Sequence, residues 1–221
     1  MAATLPTSFL LIMALFSCLY PMPSHSSDPD PLQDFCVADL TASPSVNGFP
    51  CKAASAVTAH DFSSAALSGK GNTSNAFGSK VTAANVLAFP ALNTLGVSMN
   101  RVDLAEGGLN PPHTHPRASE LDIVLKGKVL IGFITTGNVY YSKVLTRGEL
   151  FVIPRGLVHF QRNVGKGDAL IITSFNSQLP GAAVLPTTLF SAKPSIPDGV
   201  LSQAFQVEES VVDDIKAKFG S

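Results

Sequence analysis

Charged side chains are scarce in this sequence. Asp, Glu, Lys and Arg make up 14% of its 221 residues, the formal net charge is -1, and no long run of Lys or Arg occurs. A surface for polyanions would lack its usual electrostatic driving force, so we predict no nucleic acid partner. With 45% hydrophobic residues and no internal repeat, the chain favours one well-buried domain over a duplicated one.

The first 26 residues contain no charge at all. Phe9 to Tyr20 form an apolar run of 12 residues, which is short for a membrane span. We interpret residues 1–26 as a secretory signal peptide that is cleaved before Ser27, although the usual basic residue near the start is missing. A buried N-terminal helix suits the run less well, because prolines bracket it and it has no polar face. The mature chain, residues 27–221, would be secreted, with no membrane segment left.

Cysteine is rare as well. Cys18 would leave with the signal peptide, so the mature chain keeps only Cys36 and Cys51. An even pair in an oxidising compartment predicts a disulfide bond. Closing a loop of about 15 residues would stabilise the fold by roughly 3 kcal/mol in the chain-entropy model. The sole glycosylation sequon, Asn72-Thr73-Ser74, lies in a Gly-, Ser- and Asn-rich stretch, so we predict an exposed loop with a glycan on Asn72.

Helical periodicity is absent from Val97 to Phe175. Short apolar runs alternate there with Gly, Pro and Asn, which is typical of an antiparallel all-β domain. The runs Leu121–Leu125 and Val129–Phe133 flank a Lys-Gly-Lys turn, and we predict a hairpin between them. Further strands are predicted at Val139–Leu145, Glu149–Ile153, His159–Asn163 and Ala169–Phe175.

The pattern changes beyond Pro180. Pro186, Pro194 and Pro197 space out a segment that we interpret as a linker. Apolar residues then recur at helical intervals from Val207 to Phe219. We predict a C-terminal helix whose apolar stripe covers either the open end of a barrel or a neighbouring subunit.

Histidine is also scarce, and three of the five histidines fall in one pattern. His113 and His115 precede Glu120, and His159 lies 44 positions after His115. The surrounding prolines exclude a regular helix, so the first two histidines lie in extended chain and project to the same face. Glu120 would face the opposite way on an unbroken strand, but a bulge or turn at Pro116 can reset that phase. His159 would arrive on a separate strand across the barrel.

Together these four side chains predict a metal site. Three imidazoles and one carboxylate suit Mn, Fe, Ni, Cu or Zn, and they rank poorly for Ca or Mg. An octahedral ion would keep two positions open for water, dioxygen or a bidentate substrate, which indicates a catalytic site over a closed structural zinc. A His-x-His pair alone would not be sufficient for this prediction, because such a pair is more often an ordinary surface or core feature than a pair of metal ligands.

The wider spacing of the site resembles the two cupin motifs. The positions that match the first motif are Gly107, His113, His115, Glu120 and Gly127, and those that match the second are Gly148, Pro154, Gly156, His159 and Asn163. Glycines at such positions permit the tight turns of a small barrel. Four longer segments are similar to the germin-like proteins of plants: Asp28–Asp39, Asn93–Asp103, Asn110–His113 and Phe151–Leu157.

This resemblance implies a fold and an assembly. The fold would be all-β, a single-cupin jelly-roll β-barrel with its core at about residues 80–180 and a helical segment at about residues 181–221. Manganese would be held by His113, His115, Glu120 and His159, and Cys36 would be bonded to Cys51. The chain would form a homohexamer, a trimer of dimers, in the apoplast or cell wall.

The resemblance also implies substrate contacts. Germins with oxalate oxidase activity convert oxalate and dioxygen into carbon dioxide and hydrogen peroxide, and they place two asparagines beside the metal. The corresponding positions here are Asn100 and Asn110. Neutral amides can orient a dianion without adding a charge that must be desolvated. On spacing alone, Asn110 could instead be a turn former before Pro, and Asn100 could cap a strand end.

Two hypotheses for function remain open at this point. The first is a secreted manganese oxidoreductase that generates hydrogen peroxide, from oxalate or by superoxide dismutation, with a role in plant defence. The second is a structural, storage or small-ligand-binding cupin of the cell wall without oxalate oxidase activity, because one fold hosts many functions.

Overall fold

A computed structural model describes residues 33–43 and 48–220. The predicted signal peptide lies outside these residues. Within them, ten strands are present: β1 (Ser79–Ala84), β2 (Ser98–Leu104), β3 (Leu109–Thr114), β4 (Glu120–Lys126), β5 (Val129–Ile134), β6 (Tyr140–Leu145), β7 (Leu150–Ile153), β8 (Val158–Asn163), β9 (Ala169–Phe175) and β10 (Ala183–Val184). No helix in the described ranges has the length and apolar character that a membrane crossing needs.

The strands form two antiparallel five-stranded sheets. One has the order β1-β2-β9-β4-β7 and the other the order β10-β3-β8-β5-β6. Alternate residues of each strand project between the sheets, as in β9, where Ala169, Ile171, Thr173 and Phe175 are buried. An aliphatic core from both sheets fills one end of this interior; it consists of Val102, Leu104, Val124, Val129, Ile131, Leu145, Ile153, Ala169 and Ile171. The predicted all-β fold is confirmed.

The predicted hairpin between β4 and β5 is wrong. β4 pairs with β7 and β9, whereas β5 pairs with β6 and β8, so the two strands belong to different sheets. The turn between them carries the chain from one sheet to the other. Gly127 there has φ +87°, and a Cβ atom on it would lie 2.7 Å from the Cβ of Ala169, so both the backbone conformation and the close approach require glycine.

The C-terminal region contains three helices: α1 (Leu185–Phe190), α2 (Asp198–Phe205) and α3 (Glu209–Lys218). The predicted C-terminal helix is present as α3, but the predicted linker before it is wrong, because it contains α1 and α2. Pro186 lies in the first turn of α1 and Pro197 directly precedes α2, positions where a missing N–H costs little. The apolar side chains of α3 pack on the other two helices, around Phe190, Leu201 and Val212.

An N-terminal arm is fastened to the barrel. Cys36 and Cys51 form the predicted disulfide bond, and Ala38 donates a backbone hydrogen bond to Pro90 O. The fully buried Asn93 donates to Phe49 O over 2.8 Å. The disulfide bond thus cross-links two parts of the arm, and the hydrogen bonds attach the arm to the segment before β2.

The predicted glycosylation site lies in an exposed loop before β1. Asn72 is exposed, and its side-chain oxygen accepts a hydrogen bond of 2.9 Å from the Ser74 backbone N–H. This exposure agrees with the expected loop. The glycan itself stays a prediction.

Candidate metal centre

Four buried side chains converge inside the barrel, where the aliphatic core ends: Val102 of that core borders the adjoining cavity, and Ile153 pairs with Glu120. His113 lies in β3, His115 directly after it, Glu120 at the start of β4 and His159 in β8. One potential ligand atom from each of these residues lies within 4.8 Å of the others, and all four residues are buried. The structure therefore brings together every residue of the predicted metal site.

The prolines of β3 give the strand its local geometry. The β3–β8 register shifts between Asn110 and His113, across the two prolines that lack an N–H for the ladder. His113 then pairs directly with His159. The prediction that His159 lies across the barrel from His113 is therefore wrong: the two occupy neighbouring strands of one sheet, and Glu120 comes from the facing sheet.

Glu120 reaches the site by a change of strand. The chain turns at Pro116 and Arg117, after β3 has ended, and Glu120 begins β4 in the other sheet. The predicted turn at Pro116 is present. Strand alternation therefore does not turn Glu120 away from the two histidines, because Glu120 never shares a strand with them.

The Nδ1 atom of each imidazole is hydrogen-bonded to a backbone carbonyl oxygen. The three contacts are His113 Nδ1 to Pro111 O at 2.8 Å, His159 Nδ1 to Leu157 O at 2.9 Å, and His115 Nδ1 to Gly181 O. A carbonyl can only accept, so each Nδ1 carries the proton in this arrangement. With the proton on Nδ1, the Nε2 lone pair of a ring can bind a metal, and its direction is set by the hydrogen bond on the other side.

The charges of the site also suit a cation. Burial, assisted by the neighbouring His159, lowers the pKa of His113 to about 3, so that ring is neutral at physiological pH. Burial alone would raise the pKa of Glu120, but the hydrogen bonds that His115 and His159 donate when a proton is on Nε2 hold it well below its usual value. The donor set is therefore a carboxylate beside imidazoles.

The distances within the donor set suit a shared cation. The Nε2 atoms of His115 and His159 lie 2.9 and 3.0 Å from Glu120 Oε2. Lone pairs would repel across these gaps, so each gap must hold either a proton on Nε2 or a cation that both atoms bind. The residues present therefore fit a divalent metal ion.

A buried polar network supports Glu120 from behind. Gln161 Nε2 donates to Glu120 Oε1 over 2.8 Å and to Asp122 Oδ2 over 3.1 Å, while Asn110 Nδ2 donates to Gln161 Oε1 over 2.7 Å. Burial, together with the charge of Glu120, raises the pKa of Asp122 well above its usual value, which favours the protonated form of Asp122. Sequence reasoning missed Gln161 and Asp122, although each follows a ligand by two residues and must share its face of the strand.

A cavity of about 140 Å³ adjoins the ligands. Its walls are formed by Val81, Asn100, Val102, Asn110, His113, His115, Glu120, Thr173, Phe175, Ala182 and Val184. Both predicted substrate contacts thus border the same small space. The alternative roles fit less well, because Asn100 lies inside β2 and the side chain of Asn110, the second residue of β3, donates to Gln161 on the neighbouring strand.

Comparison with known proteins places this site in a family. Residues 65–213 match the cupin family. The chain is 58% identical over 218 residues to germin-like protein subfamily T member 2 of Arabidopsis thaliana, covering 99% of this chain and 96% of that protein. It is 56% identical over 210 residues to nectarin-1 of Nicotiana plumbaginifolia, covering 95% and 91%.

Solved structures agree with the sequence relatives. An oxalate oxidase in complex with the substrate analogue glycolate superimposes with a TM-score of 0.85 at 54% identity, covering 87% of this chain and 98% of that one. An oxalate decarboxylase from Lactobacillus farciminis, at 21% identity and a TM-score of 0.56, shares the fold. The two cupin motifs and the jelly-roll barrel expected from them are confirmed, and the chain belongs to the cupin family and, within it, to the germin-like proteins.

Proposed function

We propose that this protein is a secreted manganese oxidoreductase of the plant apoplast or cell wall, which oxidises oxalate and releases hydrogen peroxide in defence. The observation that carries the proposal is the arrangement at the cavity: a buried donor set of three histidines and one glutamate opens onto a space of about 140 Å³ that two neutral amides border. The 54% identity to an oxalate oxidase that binds glycolate supports it. A superoxide dismutase would need the donor set but neither amide.

The roles of the residues follow from their positions. His113, His115, Glu120 and His159 would hold manganese, which supplies a redox-active cation with open coordination positions when bound. Asn100 and Asn110 would orient the oxalate oxygens. The overall reaction is balanced as oxalate dianion, dioxygen and two protons yielding two carbon dioxide and one hydrogen peroxide.

The cavity walls contribute by excluding water. Val81, Val102, Phe175 and Val184 supply apolar surface around the polar groups. In such a space the charge of a bound dianion is screened less than in water. The fixed amide dipoles therefore act on it more strongly.

Assembly into a homohexamer, a trimer of dimers, is part of the proposal. The outer face of the sheet β1-β2-β9-β4-β7 leaves large apolar side chains in solvent, with Leu150 58% and Val152 59% exposed beside Leu121 and Met99. Contiguous apolar surface of this kind is typical of an interface. Sedimentation of the secreted protein should give a mass of six chains; a monomer would contradict this part of the proposal.

One experiment on the secreted protein tests the activity. The manganese content is measured first, and peroxide release from oxalate and consumption of superoxide are then measured on the same sample. We expect peroxide from oxalate, and we expect Asn100→Ala to lose oxalate turnover far more than superoxide consumption. For Asn110→Ala, which also removes the hydrogen bond to Gln161, we expect the same when both activities are expressed per bound manganese.

Two results would reject this function. Manganese-loaded protein that consumes superoxide but releases no peroxide from oxalate would be a dismutase. Loaded protein without either activity, whose melting temperature falls when manganese is removed, would be a structural, storage or ligand-binding cupin of the cell wall.

A further inference from the structure

One buried hydroxyl group beside the metal centre has no partner. Thr173 lies in β9 and is 2% exposed, and its Oγ1 atom has no hydrogen bond among the described residues. A buried hydroxyl without a hydrogen bond destabilises a folded protein, so such groups are rare unless they serve a ligand or a water. Thr173 also borders the cavity of about 140 Å³ next to His113 and Glu120.

The strand register places this hydroxyl beside a candidate substrate contact. Thr173 pairs directly with Asn100 of β2 on one side and with Asp122 of β4 on the other. Directly paired residues of antiparallel strands project to the same face, with Cβ atoms about 4.5–5.5 Å apart. Asn100, Thr173 and Asp122 thus form one row across the inner face of the sheet.

The ends of this row differ in what they meet. Asn100 and Thr173 border the cavity, whereas Asp122 does not. Asp122 Oδ2 accepts a hydrogen bond from Gln161, and its Oδ1 atom has no partner in the described chain. The hydroxyl of Thr173 is therefore the last polar group of the row that a ligand in the cavity can reach.

We propose that Thr173 is a third substrate-positioning residue, whose hydroxyl donates a hydrogen bond to a carboxylate oxygen of a two-carbon acid bound beside the metal. This inference rests on the proposed oxalate function and extends it. Thr173, Asn100 and Asn110 are all neutral donors, so together they can match a small anion without introducing a second cation. Hydrogen bonds to charged groups are stronger than neutral ones.

The test uses the hydroxyl as its only variable. Thr173→Val removes the hydroxyl at nearly constant shape, and Thr173→Ser keeps it. Thr82→Val is the matched control, because Thr82 pairs with Arg101 on the face of the sheet opposite to Asn100. Each manganese-loaded variant is titrated by calorimetry with glycolate and, in the absence of dioxygen, with oxalate, and the melting temperature is measured without ligand.

We expect Thr173→Val to weaken the Kd for both acids by about 10-fold or more, the loss of one hydrogen bond to a charged group. Thr173→Ser and Thr82→Val should stay within about 3-fold of the wild type. The melting temperature of Thr173→Val should be equal to or above that of the wild type, since the variant loses an unsatisfied buried group.

Two results would overturn the inference. The first is a Thr173→Val variant that binds both acids as tightly as the wild type. The second is a lower melting temperature in Thr173→Val, because the hydroxyl would then have a partner, such as a water shared with Asp122. If the manganese-loaded wild type binds neither acid, the oxalate proposal fails and this inference fails with it, whereas tight binding of both acids by Thr173→Val overturns this inference alone.

Discussion

The two ends of the barrel interior are built from the same strands but differ in chemistry. Along β9, the inward residues change from Ala169 and Ile171 at one end to Thr173 at the other. Along β4 they change from Val124 to the fully buried Asp122. The aliphatic end stabilises the fold by removing apolar surface from water, whereas the polar end places a carboxylate, imidazoles and amides where they are stable only with partners.

This difference shows how a rigid site is supported. Strand alternation decides which residues face inward, and the aliphatic end holds the strands in register, so that polar side chains at the other end are kept at fixed distances. Stability and binding should therefore respond to substitutions at opposite ends. Four predictions test that separation.

The largest effect is expected for loss of a ligand. His159→Ala should lower manganese affinity by well over about 100-fold, which is the upper range for groups that merely support ligands. Metal analysis after dialysis measures this. The exposed His60→Ala variant is the control and should keep its manganese. Equal manganese in His159→Ala and the wild type would show that the ion binds elsewhere.

A substitution at the aliphatic end should lower the stability of the fold and leave metal binding intact. Ile171 is fully buried in the core, so Ile171→Ala should lower the free energy of unfolding by about 2–5 kcal/mol, the usual cost of such a cavity. Urea unfolding of the metal-free protein measures the loss. The folded variant should still bind one manganese per chain; loss of metal without loss of stability would break the comparison.

An intermediate effect is expected for the network behind Glu120. Gln161→Leu removes the N–H that holds Glu120 Oε1 and should weaken manganese binding by about 10- to 100-fold. Competition with a chelator measures the affinity. Arg162→Leu, at the neighbouring exposed position, is the control, and an affinity shift of the same size there would assign the effect to the strand.

The smallest effect is a pH dependence. The unfolded state binds a proton on His113 with a pKa near 6.5, whereas the folded ring takes one only near 3. Unfolding therefore takes up a proton between these values, and this term costs about 1 kcal/mol of stability between pH 7 and 5.5. Urea unfolding of metal-free wild type and His113→Gln isolates it: the wild type should lose more stability over this interval. Equal losses would contradict the low folded pKa.

The sequence was sufficient for the fold and for the four predicted ligands, because motif spacing and strand alternation are both local signals. It was insufficient where one local signal serves two structures. The Lys126-Gly127-Lys128 turn looks the same whether it closes a hairpin or joins two sheets, and Pro186 looks the same in a linker and in the first turn of a helix. Only long-range pairing separates these cases.

The supporting residues were missed for a different reason. Gln161 and Thr173 belong to no motif, and a polar residue inside a strand pattern gives no sign of whether it faces water or the barrel interior. Once the ligands are located, the two-residue period identifies Gln161 as inward. Thr173 requires the register of β9 against β2, which the sequence does not contain.

The hydrogen bond between His115 and the carbonyl of Gly181 has a consequence for biosynthesis. β10 pairs with β3 at His113 and Thr114, so the chain between the barrel and the helices forms part of the wall around the ligands. Residue 181 can reach that wall only after the strands β1–β9, which precede it, have been synthesised. A metal ion would therefore be acquired only after β10 has joined the barrel, and the metal supply of the compartment where folding ends would decide which ion the site receives.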